Sequence, residues 1–368
     1  MSAFHLTDPA LAPIAEKVVA GERLTREDGI ALYESNDLLG IAQMADHVRR
    51  EKNGDRVHFM VNRHINPTNI CRNRCKFCAF ARSEGEEGAY EMTLESIVEA
   101  TREGVADGAY EIHIVSGLHP SWSYEFYVDM VRKVREAAPK HVIVQAFTAV
   151  EIEHMAIIAK KSTLEVLADL KEAGLDALPG GGAEIFSDRT RAAAWEKKTA
   201  SDVWLRIHGE AHSLGIATNC TMLYGHIETV EERVDHMIRL REQQDKSGGF
   251  LAFIPLAFHP GNTELADLPS TTGFDDLKTL AIGRLMIDNI PHIKAFWIML
   301  GLKVAQLSTA FGVDDLDGTV VEERITHMAG ATTPEALSKE DLIAMIEETG
   351  HVAVERDTLY NIVRVYGE

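Results

Sequence analysis

Cysteine is scarce in this chain: there are four in 368 residues, too few to staple a secreted scaffold with disulfides. Also missing are an apolar run approaching the roughly eighteen residues of a membrane-spanning helix and the charged-then-apolar opening of a secretory signal. A reducing cytoplasm is therefore the expected compartment. Basic residues are outnumbered, 37 against 57 acidic, for a net charge of −20. A surface this acidic repels nucleic acid and anionic membrane, so neither is expected as a partner. An anionic small molecule would have to be held by a local basic pocket. No Gly/Ser/Pro-rich linker, low-complexity segment or internal repeat divides the chain.

What the chain does have is apolar content, 45% of its residues, enough for a large core. Short β-branched runs at 57–65, 111–116, 141–148, 175–178, 216–223, 250–258 and 293–299, with a weaker one at 313–316, read as buried strands. Helical patterns lie between them at 93–105, 123–138, 162–173, 200–214, 229–244 and 275–289, several opened by Ser, Thr or Asp and closed by Gly or Asn. Strand-then-helix units that continue without a break predict an α/β fold, a TIM-like (βα) barrel complete or nearly so. Patterns at 10–20, 26–33 and 38–51 predict an N-terminal helical cap over residues 1–54, with the barrel at 55–330. Two further patterns, at 339–348 and 357–365, predict a C-terminal helical extension over 331–368.

Three of the cysteines, Cys71, Cys75 and Cys78, fall in one loop with the spacing Cys-x3-Cys-x2-Cys; Cys220 lies far away among apolar residues and reads as a small buried side chain. Three thiolates can hold a [4Fe–4S] cluster only by leaving one iron for another ligand to complete. Arg72, Arg74 and Lys76 are expected to lower the thiol pKa values and to offset the cluster's charge, while Phe77 offers a flat apolar face. A structural zinc site is the competing reading, with His64 or Cys220 as fourth ligand. The cysteine spacing and the aromatic before the last cysteine resemble the loop of radical S-adenosylmethionine (SAM) enzymes.

Active sites of such barrels form after the carboxyl ends of the strands. After the second strand, Ser116-Gly117-Leu118-His119-Pro120 stands where radical SAM enzymes carry a Gly-rich turn that contacts the methionine amino group; Ser116 replaces the usual first glycine. After the fourth comes Pro179-Gly180-Gly181-Gly182-Ala183-Glu184, in which Gly181 and Gly182 let a ligand lie on bare backbone and Glu184 can accept from ribose hydroxyls or an amine. No Gly-Lys-Ser/Thr follows, so this is not a P-loop. Tyr224, His226 and Glu228 after the fifth strand, and His259 after the sixth, are candidate proton-handling or substrate residues, as is His119. The Asp314-Asp315-Leu316-Asp317 segment lacks a calcium loop's twelfth-position Glu and is expected to cap a helix or to meet ligand hydroxyls.

Segments 62–69, 178–186, 222–229, 253–260, 292–299 and 314–319 resemble the radical SAM enzymes of the futalosine route to menaquinone, along nearly the whole chain. His64, Leu256-Ala257-Phe258-His259-Pro260 and Lys294-Ala295-Phe296-Trp297 are closest to the aminodeoxyfutalosine synthase branch. Dehypoxanthine futalosine cyclases and the enzymes forming the deazaflavin FO are the alternatives. The resemblance implies that a cluster on Cys71, Cys75 and Cys78 binds SAM as a consumed co-substrate, with an electron from reduced flavodoxin or ferredoxin. It further implies addition of the 5′-deoxyadenosyl radical to the vinyl group of 3-[(1-carboxyvinyl)oxy]benzoate, aryl migration and loss of carbon dioxide. That substrate is a dianion, and Arg63, His64, Arg82, Arg189 and His259 are the candidates to hold its carboxylates. The reading from another class is a non-catalytic iron-sulfur or zinc protein, which a colourless, iron-free sample would favour.

Overall fold

Val61 divides the first expected strand between two sheets. The computed structural model describes residues 4–367, and in it Arg56–Met60 forms β1 while Asn62–Ile65 forms β2. The chain changes sheets here because the turn after a distant strand wedges beside it. Thr319 N–H donates to Met60 O (3.1 Å), and Val320 N–H donates to the Asn62 carboxamide (2.8 Å). Gly318 makes room, since a Cβ there would lie 2.5 Å from Asn62 Oδ1.

The remaining strands are β3 (Glu111–Ile114), β4 (Ile143–Ala146), β5 (Ala177–Leu178), β6 (Ala217–Tyr224), β7 (Phe250–Ala257), β8 (His292–Ile293), β9 (Asp315–Gly318), β10 (Val352–Arg356) and β11 (Ile362–Val365). Strands β2 to β8 pair in chain order, all parallel, and curl into a TIM-like half-barrel. The eighth strand forms as β9, but it pairs with β1 and reaches β8 only through the Lys294–Asp315 bridge, with Val321 bridging to Arg63 of β2. The second sheet has the order β11-β10-β1-β9.

Local sequence explains the helices. Those at Thr163–Ala173 and Val230–Ser247 each open on a capping box, Ser162 with Glu165 and Thr229 with Glu232, which satisfies end N–H groups reciprocally. Strand residues such as Ile112, Val144 and Phe253 are fully buried in the core that the helices and strands share. Each such side chain contributes about 1.5–3 kcal/mol by leaving water. The expected N-terminal helices form as Ala12–Ala20, Arg26–Glu34 and Leu38–Asn53, and the last packs on the helix Gly273–Met286. They therefore sit on the outer helical layer.

Three expectations fail. The run 293–299 is strand only to Ile293; Trp297–Leu300 is helical, with Trp297 Nε1–H donating to Gly318 O (2.8 Å). Residues 357–365 are not helix, although Lys339–Glu347 is. Asp357 accepts N–H bonds from Leu359 and Asn361 (both 2.9 Å) and Tyr360 takes φ +63°, so the chain reverses and β11 pairs antiparallel with β10. Of the two expectations for the aspartates near β9, helix capping fails. Asp314 is buried against Arg284 and against His292 Nδ1 (2.5 Å), Asp315 against Arg356 Nε (2.6 Å), and Asp317 against Lys294 Nζ (3.1 Å). Cys220 is fully buried, as expected.

Candidate active site

The loop after β2 carries Cys71, Cys75 and Cys78 to one end of a cavity of about 340 Å³ that runs into the half-barrel. The loop is pinned on both sides. Cys71 N–H donates to Arg82 O (3.0 Å), Arg72 N–H to Leu118 O (2.9 Å) and Lys76 N–H to Ala194 O (2.9 Å). All three thiols are free and only partly exposed. Burial pushes the Cys71 thiol up and the Cys75 thiol to about 12, so these sulfurs ionise only with a cation against them. The expectation that Arg72, Arg74 and Lys76 would lower them is not met. All three are exposed; Arg74 bonds Ser83 and Glu86, and Lys76 Nζ donates to Ala193 O (2.8 Å). The cation that opposes the effect of burial at Cys75 is Lys198.

Lys198 is a site residue that the sequence reading missed. It lies far from the loop in sequence, yet its ammonium pairs with Glu184 and sits 5.0 Å from the Phe77 ring centroid. Burial pulls its pKa down, but Glu184 and Cys75 more than offset this and hold it protonated. Glu184 is thus committed to an internal ion pair. The glycine turn beside it needs its glycines: Gly180 and Gly182 take φ +85° and +89°, and a Cβ on Gly180 would lie 2.2 Å from Asn219 O. Gly181 and Gly182 line the cavity.

Opposite, Ser116 and Gly117 end β3 against the cysteine loop, where a Cβ on Gly117 would meet Ile70 O at 2.5 Å. A second missed residue organises this turn. Glu151, from the first turn of the helix Ala149–Ala159, accepts from Ser116 N–H (3.1 Å) and Oγ–H (3.2 Å) and from Thr148 N–H (2.6 Å). Burial raises its pKa to about 7 even so.

The inner end of the cavity is walled by Leu223, Ile254, Leu256 and Phe296 together with His64, His113 and Asp317. His64 and His113 are register neighbours on β2 and β3, and their rings stack at 4.4 Å. Burial, and then His113, hold His64 well below its usual pKa. Beneath them the floor is polar. Glu111 accepts from Thr358 Oγ1–H (2.8 Å) and Gln145 Nε2–H (3.0 Å), which seals the barrel with the turn between β10 and β11.

Of the residues singled out in the sequence, the three cysteines, Phe77, Ser116, Gly117, Gly181, Gly182, Glu184, His64 and His259 line the cavity. Asp317, expected to meet ligand hydroxyls, lines it too; Arg63, Arg82, His119, Arg189, Tyr224 and His226 do not. Arg63 pairs with Glu103 (3.3 Å) and Glu322 (3.1 Å); Arg82 donates to Ala79 O (2.8 Å) and Ala81 O (3.0 Å). Arg189 forks onto Glu232, its Nε 2.8 Å from Oε1. His119 Nε2 meets Glu91 (3.1 Å). Tyr224 O–H donates to Asp276 (2.8 Å), and His226 is buried beside Glu228 (2.9 Å). Spacing could not have foreseen the partners of Arg63, Arg189, His119 and Tyr224, which come from distant segments, whereas Arg82 and His226 are held by near neighbours in the chain.

Two family models match: Radical SAM superfamily over residues 65–240, and CofH/MqnC C-terminal region over residues 247–366. The chain is 50% identical to the aminodeoxyfutalosine synthase of Thermus thermophilus, covering 98% of both chains. It is 40% identical to the 5-amino-6-(D-ribitylamino)uracil–L-tyrosine 4-hydroxyphenyl transferase of Methanopyrus kandleri, over 91% of this chain and 92% of that one. The chain belongs to the aminodeoxyfutalosine synthase family. Among solved structures, methylornithine synthase superposes with a TM-score of 0.72 at 20% identity, covering 91% of this chain and 96% of that one, a likeness of fold. As a radical SAM enzyme the protein uses a [4Fe–4S] cluster and SAM, and Cys71, Cys75 and Cys78 fit the family's motif. The donor set fits as well, because the three thiols line one end of the cavity, partly buried, and those of Cys71 and Cys75, raised by burial, call for a metal to ionise them. No helix among the described residues is long and apolar enough to cross a membrane.

Proposed function

We propose that this enzyme is an aminodeoxyfutalosine synthase, acting on 3-[(1-carboxyvinyl)oxy]benzoate in menaquinone biosynthesis. The observation that carries the reading is the 50% identity to a synthase along 98% of both chains, against 40% for the hydroxyphenyl transferase. When bound on Cys71, Cys75 and Cys78, the cluster with SAM supplies a 5′-deoxyadenosyl radical, for which reduced flavodoxin or ferredoxin provides the electron. A cytoplasmic setting, in which thiols stay reduced, accords with four free cysteines.

The chain's own residues meet the demands of this chemistry. Gly117, Gly181 and Gly182 let a ligand approach bare backbone at the cysteine end, with Phe77 as a flat wall and the Glu184–Lys198 ion pair beside it. Further in, Leu223, Ile254, Leu256 and Phe296 exclude water from an aryl ring and hold its vinyl carbon at near-attack distance, roughly 3–3.5 Å. Adenosyl C5′ would join that vinyl carbon, the aryl group would move from oxygen to carbon, and one carboxylate would leave as carbon dioxide, with the odd electron passing back to the oxidised cluster that Cys71, Cys75 and Cys78 would hold.

Anaerobic incubation with SAM and dithionite, with and without the benzoate, tests this by mass spectrometry. A substrate-dependent product carrying the adenosyl group is expected. Only free 5′-deoxyadenosine, or an adduct formed instead with 5-amino-6-(D-ribitylamino)uracil and tyrosine, would overturn the reading. Cys75→Ala is expected to lose iron and product together.

A further inference from the structure

We propose that His113, held by Glu111 on the barrel floor, is the residue that binds the ring carboxylate of the benzoate substrate, an inference that rests on the function proposed above. The argument begins with elimination. The cationic side chains near the cavity are already engaged: Lys198 with Glu184, Lys294 with Asp317, Arg82 with the carbonyls of Ala79 and Ala81, and Arg63 and Arg189 with partners outside it. His259 gives its Nε2 to Met299 O (2.8 Å). His64 takes a contact from the Asn62 carboxamide at Nε2 (3.4 Å) and is kept neutral by burial.

His113 differs from all of these. It lines the cavity, its Nδ1 lies 3.4 Å from Glu111 Oε1, and no described residue bonds its Nε2. Gln145 Nε2 carries two hydrogens: one goes to Glu111 Oε2 at 3.0 Å, and the same nitrogen lies 3.1 Å from His113 Nδ1, so Gln145 and Glu111 both hold the ring through Nδ1 and leave Nε2 to the cavity. Glu111 is 1% exposed and must stay ionised to accept from Thr358, Gln145 and Asn62. His113 is the basic ring in contact with this buried carboxylate. A substrate carboxylate at Nε2 and Glu111 at Nδ1 would then share the ring between them, each accepting one of its two N–H groups.

Depth selects which carboxylate. His113 precedes Ser116 by three residues on an extended segment, so it lies roughly 10 Å below the strand end where the cysteine loop docks. The vinyl carbon and its own carboxylate belong at the upper end, next to adenosyl C5′. The ring carboxylate, across the aryl group, reaches downward past Ile254 and Leu256.

The test compares the benzoate with its ring benzamide in the cluster-reconstituted enzyme, wild type against His113→Gln and Glu111→Gln. Wild type is expected to prefer the acid in kcat/KM by about thirtyfold or more, the usual loss when one partner of a buried charge pair is removed. His113→Gln should erase that preference, while iron content and the KM for SAM stay unchanged. Glu111→Gln, which acts through His113, should reduce it partway. The acid-to-amide ratio is read on whatever fraction folds, so a fall in yield cannot imitate the result. A His113→Gln enzyme that keeps the full preference overturns the role of His113. A wild-type enzyme that makes no adenosyl adduct from the acid overturns the functional reading instead.

Discussion

The Lys198 ammonium pairs with Glu184 inside the cavity wall and at the same time faces Phe77 and Cys75. One cation thus joins the glycine turn after β5 to the cysteine loop after β2. Both partners are largely buried, at 12% and 8% exposure of their side chains. Removing one leaves an uncompensated charge, so Lys198→Met should cost about 3–5 kcal/mol of unfolding free energy. The double variant Lys198→Met/Glu184→Gln should lose less than the single one. Anaerobic urea unfolding of the three proteins decides it, and equal losses would show that the pair does not act as a unit.

Gly117 lies where the end of β3 touches the cysteine loop. A methyl group there meets Ile70 O at 2.5 Å and Cys71 Cβ at 3.1 Å, and neither is the far end of a flexible side chain. Gly117→Ala should therefore push the loop outward, at a cost of about 1–3 kcal/mol, and lower the iron retained per chain. Iron analysis after reconstitution checks this; wild-type iron content would show that the loop accommodates the methyl group without moving.

Glu151 makes stability pH-dependent. Its unfolded carboxyl titrates near 4.5 and its folded one near 7 because burial disfavours the charge. Between those values the folded state holds more protons than the unfolded chain, so unfolding free energy falls as pH rises through this window, and it is lowest above the folded pKa. The span is ~3 kcal/mol. Glu151→Gln should flatten that slope. Unfolding of the apo-protein from pH 4.5 to 8 measures both curves, and parallel curves would contradict the account.

Much of the fold and part of the site were legible in the sequence, for different reasons. The cysteine loop announces itself because its function depends on local spacing, and the helices because their caps, such as Ser162 with Glu165, are local too. The split at Val61 was hidden, since it depends on Gly318 and Asn62 meeting across the chain. The strand at Ile362–Val365 was read as helix because its β-character is decided by pairing with β10 and by a turn closed on Asp357. Arg63 and Arg189 looked available because their partners are remote, and Arg82 because it folds back on the carbonyls of Ala79 and Ala81; charge type can be read from sequence, whereas commitment to a partner cannot. Lys198 and Glu111 escaped notice for the converse reason, as nothing local marks them.

The pairing of β1 with β10 also sets an order of assembly. Arg356 contacts Met60 across 296 residues of chain. At ribosomal rates of about 5–20 residues per second, β1 waits some 15–60 s for its neighbour. The half-barrel sheet can form in that interval, but its floor stays open until Thr358 arrives at Glu111. During synthesis the nascent enzyme is therefore a cup without a base, with an ionisable carboxylate and an unpaired strand edge exposed to solvent and to chaperones. Closure of that base is the last step by which the catalytic interior becomes dry.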